Sequence, residues 1–112
     1  MNGYDYNFRV TREVNIKYGE VESKATIRIG GLQATEAPDW WICHWTIDII
    51  HPEQGKIYGI DAMDALFNCM LFIQKLIRDH IKNGYEIWWE TKGDNGGFSQ
   101  HEARDAGSDI TT

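Results

Sequence analysis

The chain has 112 residues and a formal net charge of −6, from 17 acidic and 11 basic side chains. This length predicts a single domain, and an apolar content of 42% suffices for a core without disulfides or a structural metal. An acidic surface repels phosphate backbones, and the sequence contains no run of the ~18 apolar residues that a membrane span needs. These features exclude a wholly disordered chain and argue against nucleic-acid and membrane partners.

Alternating side chains near the N-terminus predict an antiparallel hairpin. Apolar and polar residues alternate over residues 8–18 and again over residues 21–29, which is the period of a half-buried strand. Gly19 supplies the backbone freedom of a short turn between them. We expect Gly30-Gly31 to end the second strand and residues 32–39 to form a loop.

A third strand is predicted over residues 40–50, which are rich in β-branched and aromatic side chains. Its odd positions from Trp41 to Ile49 are all apolar, whereas its even positions are mixed. We therefore expect the odd positions to meet the helix and the even positions to meet solvent or a partner. Residues 51–55 predict a turn, and residues 56–59 predict a short extended lead into the helix.

The most regular pattern in the sequence predicts an amphipathic helix over residues 61–82. Asp61 is a preferred N-cap residue, and Gly84 can take the left-handed conformation that ends helices. Apolar residues at three- and four-residue spacing predict the buried face, and they are Ala62, Leu66, Cys69, Met70, Ile73, Leu76, Ile77 and Ile81. Phe67 and Leu71 flank this face, and for them a buried edge is favoured over a small partner surface.

The remaining pattern completes an α+β fold with the element order β-β-β-α-β. Residues 85–90 predict the fourth strand, residues 91–97 a glycine-rich loop, and Phe98 a contact that pins this loop to the core. The natural arrangement is a four-stranded antiparallel sheet with one long helix packed on one face. We expect one domain over residues 1–98 and a flexible acidic tail over residues 99–112.

No catalytic, metal or cofactor site is predicted. His44 and Asp48 point to the same side of a strand with their Cα atoms about 13 Å apart, too far for a direct hydrogen bond. His80 lies within the helix, where a structural role is favoured. The cysteines and histidines form no C-x-x-C or H-x-x-x-H pair of the kind that zinc sites use. Residues 93–97 lack the Lys-Ser/Thr that follows a phosphate-binding loop, so we expect a plain turn there.

Cysteine usage predicts a reducing environment. Cys43 and Cys69 are the two cysteines of the chain, and both are expected to face the core as free thiols. Because the N-terminus shows no signal-peptide pattern, we expect a cytoplasmic protein.

Aromatic residues on the outer face of the sheet are the main candidates for binding a partner. The chain has five tryptophans, and adjacent tryptophans in a strand must point to opposite faces. Trp41, Trp45 and Trp89 are therefore predicted to be core residues. The predicted partner-binding residues are Trp40, Ile42, His44 and Trp88. The alternative, that the N-terminal segment or the tail folds over this face, stays open, and base stacking is disfavoured by the acidic charge.

Three segments of the sequence together carry a family resemblance. They are Asp39-Trp40-Trp41-Ile42-Cys43 before a strand, Gly59-Ile60-Asp61-Ala62-Met63-Asp64-Ala65-Leu66 at the helix start, and Gly96-Gly97-Phe98 after the last strand. In this order they resemble a family of small bacterial proteins of unknown function, over about residues 8–98. That family has a strand hairpin, a D-W-x-C-like strand, a G-[IV]-D-[AS]-x-x-A-L helix start and a closing G-F. The resemblance implies the element order but no activity, and Asp64 stands where the pattern suggests Gln.

These observations together predict a non-catalytic protein-interaction domain. The expected partner is another protein, such as a basic bacterial effector inhibited by an immunity-type protein, or a second copy that pairs through the outer sheet face. The alternative is a small-molecule binder or enzyme with a pocket between sheet and helix near Cys43, Cys69 and His80.

Overall fold

The computed structural model describes residues 9–36 and 40–98. Five strands and one long helix follow one another along the chain: β1 (Arg9–Tyr18), β2 (Val21–Ala34), β3 (Trp41–Ile47), β4 (His51–Gly59), α1 (Ala62–Lys82) and β5 (Glu86–Trp88). A short 3₁₀ turn, Asn95–Gly97, follows β5. The predicted tail, residues 99–112, lies outside the described residues.

The strands form one antiparallel sheet in the order β4-β3-β2-β1-β5. The α+β class with one helix is confirmed, but the sheet has five strands rather than the four predicted, and the chain order is β-β-β-β-α-β. The helix α1 joins the two edge strands, β4 and β5, and crosses one face of the sheet between them. The other face carries no helix among the described residues.

The strand that the sequence did not predict is β4, whose residues were expected to form a turn and a short lead into the helix. Asp48 ends β3, because its carboxylate accepts hydrogen bonds from the Thr26 N–H at 3.0 Å and the Arg28 guanidinium at 2.7 Å. The chain then reverses at residues 48–50 and pairs β4 with β3. As an edge strand, β4 tolerates Pro52, which a central strand would not.

A glycine explains how β4 packs against its neighbour. Gly55 lies opposite Trp45, and a Cβ atom at position 55 would overlap the indole ring. The ring therefore lies across the strand, where it also contacts His51 and Phe72 at centroid distances of 4.5 and 5.5 Å. This contact places a bulky core side chain over a strand whose own sequence is mostly polar.

The second strand also runs further than predicted. Gly30-Gly31 was expected to end it, but β2 continues to Ala34 and pairs with β3 beyond the glycines. The pairing register shifts between Gly30 and Gln33, and Gly31 has a φ of 65°. The glycines therefore mark a β-bulge inside the strand, which is a common use of a left-handed glycine.

The helix begins and ends as predicted. Asp61 caps it by accepting a hydrogen bond from the Asp64 N–H at 2.7 Å, and the Asp64 carboxylate in turn accepts one from the Ile60 N–H at 2.9 Å. Gly84 follows the C-cap with a φ of 104°. Reciprocal bonds of this type satisfy backbone donors that the first turn of a helix leaves unpaired.

The core lies between α1 and the inner face of the sheet. The fully buried helix residues recur every four positions, and they are Ala65, Cys69, Ile73 and Ile77. Facing them are the buried sheet residues Val14, Ile16, Ala25, Ile27, Ile29, Cys43, Trp45, Ile47 and Ile87. Gly59 lets β4 approach the first turn of α1, since a Cβ there would overlap the backbone of Ala65. None of the helical segments in residues 9–36 and 40–98 combines the length and hydropathy needed to cross a bilayer.

Candidate functional site

The four predicted partner-binding residues lie in different environments. Trp40 is 49% exposed and Ile42 is half-buried, whereas His44 and Trp88 are only 5% and 9% exposed. His44 and Trp88 lie on the outer face of the sheet, as expected, but neighbouring side chains cover them. Binding of a partner by these four residues stays a prediction.

His44 is buried by two glutamines rather than open to solvent. Its Nε2 lies 2.9 Å from Oε1 of Gln33, and its Nδ1 is hydrogen-bonded to Nε2 of Gln54. An amide oxygen can only accept and an amide nitrogen can only donate, so Nε2 donates to Gln33 and Nδ1 accepts from Gln54. The ring thus joins β2, β3 and β4 across the outer face, which is a structural role.

The burial of the adjacent residues Trp88 and Trp89 is the reverse of the prediction, since Trp88 is buried and Trp89 is exposed. Trp88, predicted to be exposed, pairs with Asn15 of β1 and has the Lys92 ammonium 4.8 Å from its ring centroid. Trp89, predicted to be a core residue, is exposed, and the Arg12 guanidinium lies 3.9 Å from its ring centroid. A cation over an aromatic face is attracted by the ring quadrupole.

The glycine-rich loop after β5 is a turn, as its sequence predicts, and the Asp94 side chain holds it in place. The Asp94 carboxylate accepts hydrogen bonds from the backbone N–H groups of Trp89, Glu90 and Thr91 at 2.8–2.9 Å. Burial by itself raises the pKa of Asp94, but the hydrogen bonds outweigh it, so the pKa lies below its ordinary value. Phe98 packs against the core at the end of this loop, as expected.

The three residues of the predicted pocket do not converge. Cys43 and Cys69 are fully buried free thiols on facing elements. The hydrogen bond between them lowers the pKa of Cys43 and, together with burial, raises that of Cys69. His80 lies eleven residues further along α1, or about 16 Å along the axis. It hydrogen-bonds the Leu76 carbonyl of its own helix at 3.0 Å and contacts the Tyr85 ring.

Metal-binding side chains are equally dispersed. In the described ranges 9–36 and 40–98, no group of three or more His, Cys, Asp or Glu side chains could hold a metal ion. His51, for example, uses its Nδ1 in a bond of 2.7 Å with the Glu53 backbone carbonyl.

The largest group of exposed apolar side chains lies on the solvent side of α1. Met63 is 78% exposed and Phe67 is 60% exposed, and Met70 and Leu71 are also exposed. Phe67 lies four residues from Met63 and from Leu71 and three from Met70, so these four side chains are neighbours on the helix surface, and the group is here called the helix stripe. Ile60 and Phe72 add exposed apolar surface beside it.

Charges are distributed unequally along the helix that carries the stripe. Residues 60–74, which include the N-cap and the first part of the helix, have two acidic residues, Asp61 and Asp64, and no basic residue. The rest of the helix has three basic residues, Lys75, Arg78 and Lys82, against one acidic residue, Asp79. Lys75 and Asp79 form an exposed ion pair at 3.1 Å.

A shallow groove beside the basic half continues the surface towards the loop after β5. Its lining includes Leu71, Gln74 and Arg78 of the helix, together with Asn95. The stripe is therefore apolar at its N-terminal end and centre, and becomes polar and basic towards its C-terminal end.

Sequence reasoning identified part of this surface. For Phe67 and Leu71 a buried edge is favoured over a small partner surface, and Met70 is predicted on the buried face, but all three side chains are exposed. The sequence pattern gives no prediction for Met63. The available signal was that apolar residues occur on more of the helix than a single core-facing side requires.

Comparison with known proteins places the chain in a family without assigning it an activity. Neither the curated proteins nor the solved structures contain a match to this chain. One family model matches residues 10–100, which is most of the chain. The chain therefore belongs to the family described as Domain of unknown function (DUF6968).

Proposed function

We propose that this protein is a non-catalytic protein-interaction domain that contacts its partner through the helix stripe. The observation that carries this proposal is that α1 is apolar on two sides. One side fills the core with Ala65, Cys69, Ile73 and Ile77, and the opposite side exposes the stripe. A helix of a soluble monomer ordinarily keeps a polar outer face, and exposed apolar patches mark interaction sites.

The residue types of the stripe suit protein recognition. Phe67 offers a rigid aromatic anchor, and aromatic residues are enriched among the side chains that dominate binding energy. Met63 and Met70 have flexible, polarisable side chains that adapt to the shape of a partner. Removing such side chains from water contributes about 25 cal/mol for each Å² of apolar surface.

The exposed residues on the outer face of the sheet are a second candidate contact surface. Of the four residues predicted to bind a partner, Trp40 and Ile42 have the accessible area that direct contact requires. Ile42 pairs with the exposed Tyr58 of β4. Asn68 Nδ2 of α1 donates to the Tyr58 carbonyl at 3.1 Å, so β4 lies beside the helix. The side chains of Ile42 and Tyr58 are on the outer face of the sheet, opposite α1.

The hydrogen bonds of the titratable side chains support a function without catalysis. His44 is held between two glutamines, His80 bonds its own helix, and Asp94 accepts backbone hydrogen bonds in a turn. Each of these groups is satisfied by a structural contact. This arrangement contrasts with catalytic groups, which are aimed at a shared point where a substrate atom can sit.

One concrete form of this function is an immunity-type inhibitor of a basic bacterial effector in the cytoplasm. The net charge of −6 favours a basic partner, since complementary charge speeds encounter. The buried cysteines are free thiols on facing elements, which suits a reducing compartment. The bacterial origin rests on the resemblance of the three sequence segments described above.

Site-specific photo-crosslinking tests the proposed surface. A photoreactive phenylalanine analogue at position 67 should give a covalent adduct heavier than the 12.9 kDa chain when the protein is expressed in its host and irradiated. The matched control carries the same analogue at position 21, because Val21 at the start of β2 is also well exposed and is far in sequence from the stripe. Adducts at neither position 67 nor position 71, or equal adducts at position 21, would overturn the proposal.

A further inference from the structure

The distribution of charge along α1 indicates what kind of surface complements the helix stripe. Asp64 and Arg78 each lie seven residues from Leu71, on opposite sides of it. Seven residues are close to two helical turns, so the three residues lie nearly on one line and Asp64 and Arg78 are each about 10 Å from Leu71 along the axis. The line through Asp64, Leu71 and Arg78 thus has an acidic end, an apolar centre and a basic end.

This pattern is complementary to itself after a two-fold rotation. If two such helices pack side by side in opposite directions with Leu71 at the centre, Asp64 of each copy lies level with Arg78 of the other. A parallel arrangement would instead place like charges side by side, which is unfavourable. Antiparallel packing also places the positive end of each helix dipole beside the negative end of the other.

We propose that the occupant of the helix stripe is a second copy of this chain, packed antiparallel about a two-fold axis near Leu71. This inference rests on the proposed function, because it names the partner of the same surface. The isologous contact buries Phe67 and Leu71 of both copies at its centre, with the Asp64–Arg78 pairs at its rim. Two-fold interfaces are the commonest in soluble oligomers, and an apolar core with a polar rim is their usual composition.

The structure is compatible with the ionic part of this contact. Arg78 is partly exposed and forms no ion pair among the residues that the structure describes, so its guanidinium can receive a carboxylate from another chain. One Asp64 oxygen accepts the Ile60 N–H at 2.9 Å, and a carboxylate has further acceptor capacity. Neither group has to break an ion pair within its own chain in order to bind the partner copy.

Sedimentation equilibrium of the purified full chain tests the dimer. We expect a mass that rises with concentration from 12.9 kDa towards twice that value. The variant Leu71→Glu places two like charges at the two-fold axis and should weaken association at least tenfold. The control Val21→Glu adds the same charge at an exposed position away from the stripe and should leave association unchanged. Circular dichroism establishes that both variants keep the helix.

Thiol crosslinking tests the antiparallel geometry. Leu71→Cys lies at the proposed axis and should be joined to its counterpart by a short bis-maleimide. Met63→Cys lies eight residues from the axis, so the two copies of it are about 24 Å apart and should not be joined. The native Cys43 and Cys69 are fully buried, so the unmodified chain is the blank. Efficient crosslinking at both positions would indicate parallel packing and overturn the proposal.

A charge exchange supplies a second check on the pairing. Arg78→Glu should weaken the dimer, and adding Asp64→Arg to the same chain should restore most of the lost association, because the pairs are then reversed. If the double variant does not regain association although its helix is intact, the proposed ion pairs do not form.

The outcomes separate this inference from the proposed function. A chain that stays monomeric at millimolar concentration overturns the dimer. If position 67 then gives adducts with a different protein, the interaction surface stands and the identity of its occupant is corrected. If the adduct instead joins position 67 to residues 99–112 of the same chain, both proposals fail.

Discussion

The two sides of α1 are both apolar but have different surroundings. The buried side, Ala65, Cys69, Ile73 and Ile77, is shielded from water by the sheet. The helix stripe on the other side includes Phe67 at 60% exposure, with nothing among the described residues placed over it. Burial on one side stabilises the monomer, whereas the other side is available to stabilise a complex. The comparison shows that apolar character along a helix does not identify the core by itself.

Shape distinguishes the two sides where hydrophobicity does not. The buried side uses small and β-branched residues, which let the helix approach the sheet closely, as Ala65 does above Gly59. The stripe uses longer side chains without a branch at Cβ, and they are exposed to solvent. Protruding, adaptable side chains are typical of surfaces that bind another protein.

The largest expected effect comes from truncating the buried side. Ile73→Ala removes a fully buried side chain from the centre of the core and should lower the free energy of unfolding by about 2–5 kcal/mol. Urea denaturation at a concentration where the chain is monomeric measures it. The matched variant Met70→Ala, on the exposed side, should change the monomer by less than about 0.5 kcal/mol. Equal losses of unfolding free energy at the two positions would show that both sides of α1 belong to the core.

The next largest effect concerns the contact between β4 and the buried side. Gly59→Ala adds a methyl group that overlaps the Ala65 backbone, so the start of α1 must move away from the sheet. We expect a loss of about 1–3 kcal/mol, since overpacking against backbone is poorly relieved. Gly93→Ala, by contrast, meets no neighbouring atom but has a φ of 94°, so it separates backbone strain from overlap. An unchanged denaturation midpoint for Gly59→Ala would contradict this packing.

Lowering the pH should destabilise the fold where the loop after β5 packs against the buried side of α1. The Asp94 turn places Gly96 against Ile77 and Ile87. Because the folded-state pKa of Asp94 is lowered, its contribution is fully present above the ordinary value of 3.8 and is lost as pH falls through the folded value. The unfolded chain takes up the proton first, so stability decreases on acidification. Asp94→Asn should cost about 1.5 kcal/mol at neutral pH and flatten this decrease.

Asp48 provides a comparison for the acid effect. Its pKa is also lowered, first by the hydrogen bond from Arg28 and then by that from Thr26, so it loses stabilisation over the same acidic range. Thermal unfolding of Asp94→Asn and the unmodified chain at pH 7 and pH 3 separates the two groups. A pH dependence that is identical in both chains would assign the effect to Asp48 or to other carboxylates.

The smallest expected effect is on monomer stability when the stripe itself is altered. Phe67→Ser removes an exposed ring and should shift the free energy of unfolding of the monomer by no more than about 0.5 kcal/mol. The same change should abolish the position-dependent crosslinking from the neighbouring residue 71. A loss comparable to that of Ile73→Ala would show that the ring belongs to the core.

Local signals in the sequence predicted the helix and the first hairpin well. Asp61, Gly84 and the four-residue apolar spacing act within one element, so their consequences do not depend on distant parts of the chain. The alternation in residues 9–18 likewise survives in the fold as β1. Free thiols at Cys43 and Cys69 were also predicted correctly.

Features that depend on a neighbour were predicted less well. The strand β4 carries Pro52 and Gly55 and few apolar residues, so its sequence resembles a loop, and it is a strand because β3 offers a free edge and Trp45 lies over it. The burial of His44 depends on Gln33 and Gln54, which are eleven and ten residues away. No local pattern contains this information.

By itself, the sequence determined an α+β domain with one capped, amphipathic helix and strands that alternate in polarity. It did so because caps, turns and periodicity are short-range properties of the backbone and of neighbouring side chains. The tertiary structure alone decided the fifth strand, the burial of Trp88 instead of Trp89, and which apolar side of α1 meets water. Those outcomes follow from which surfaces are brought together across the fold, and a helix with two apolar sides has only one sheet against which to bury them.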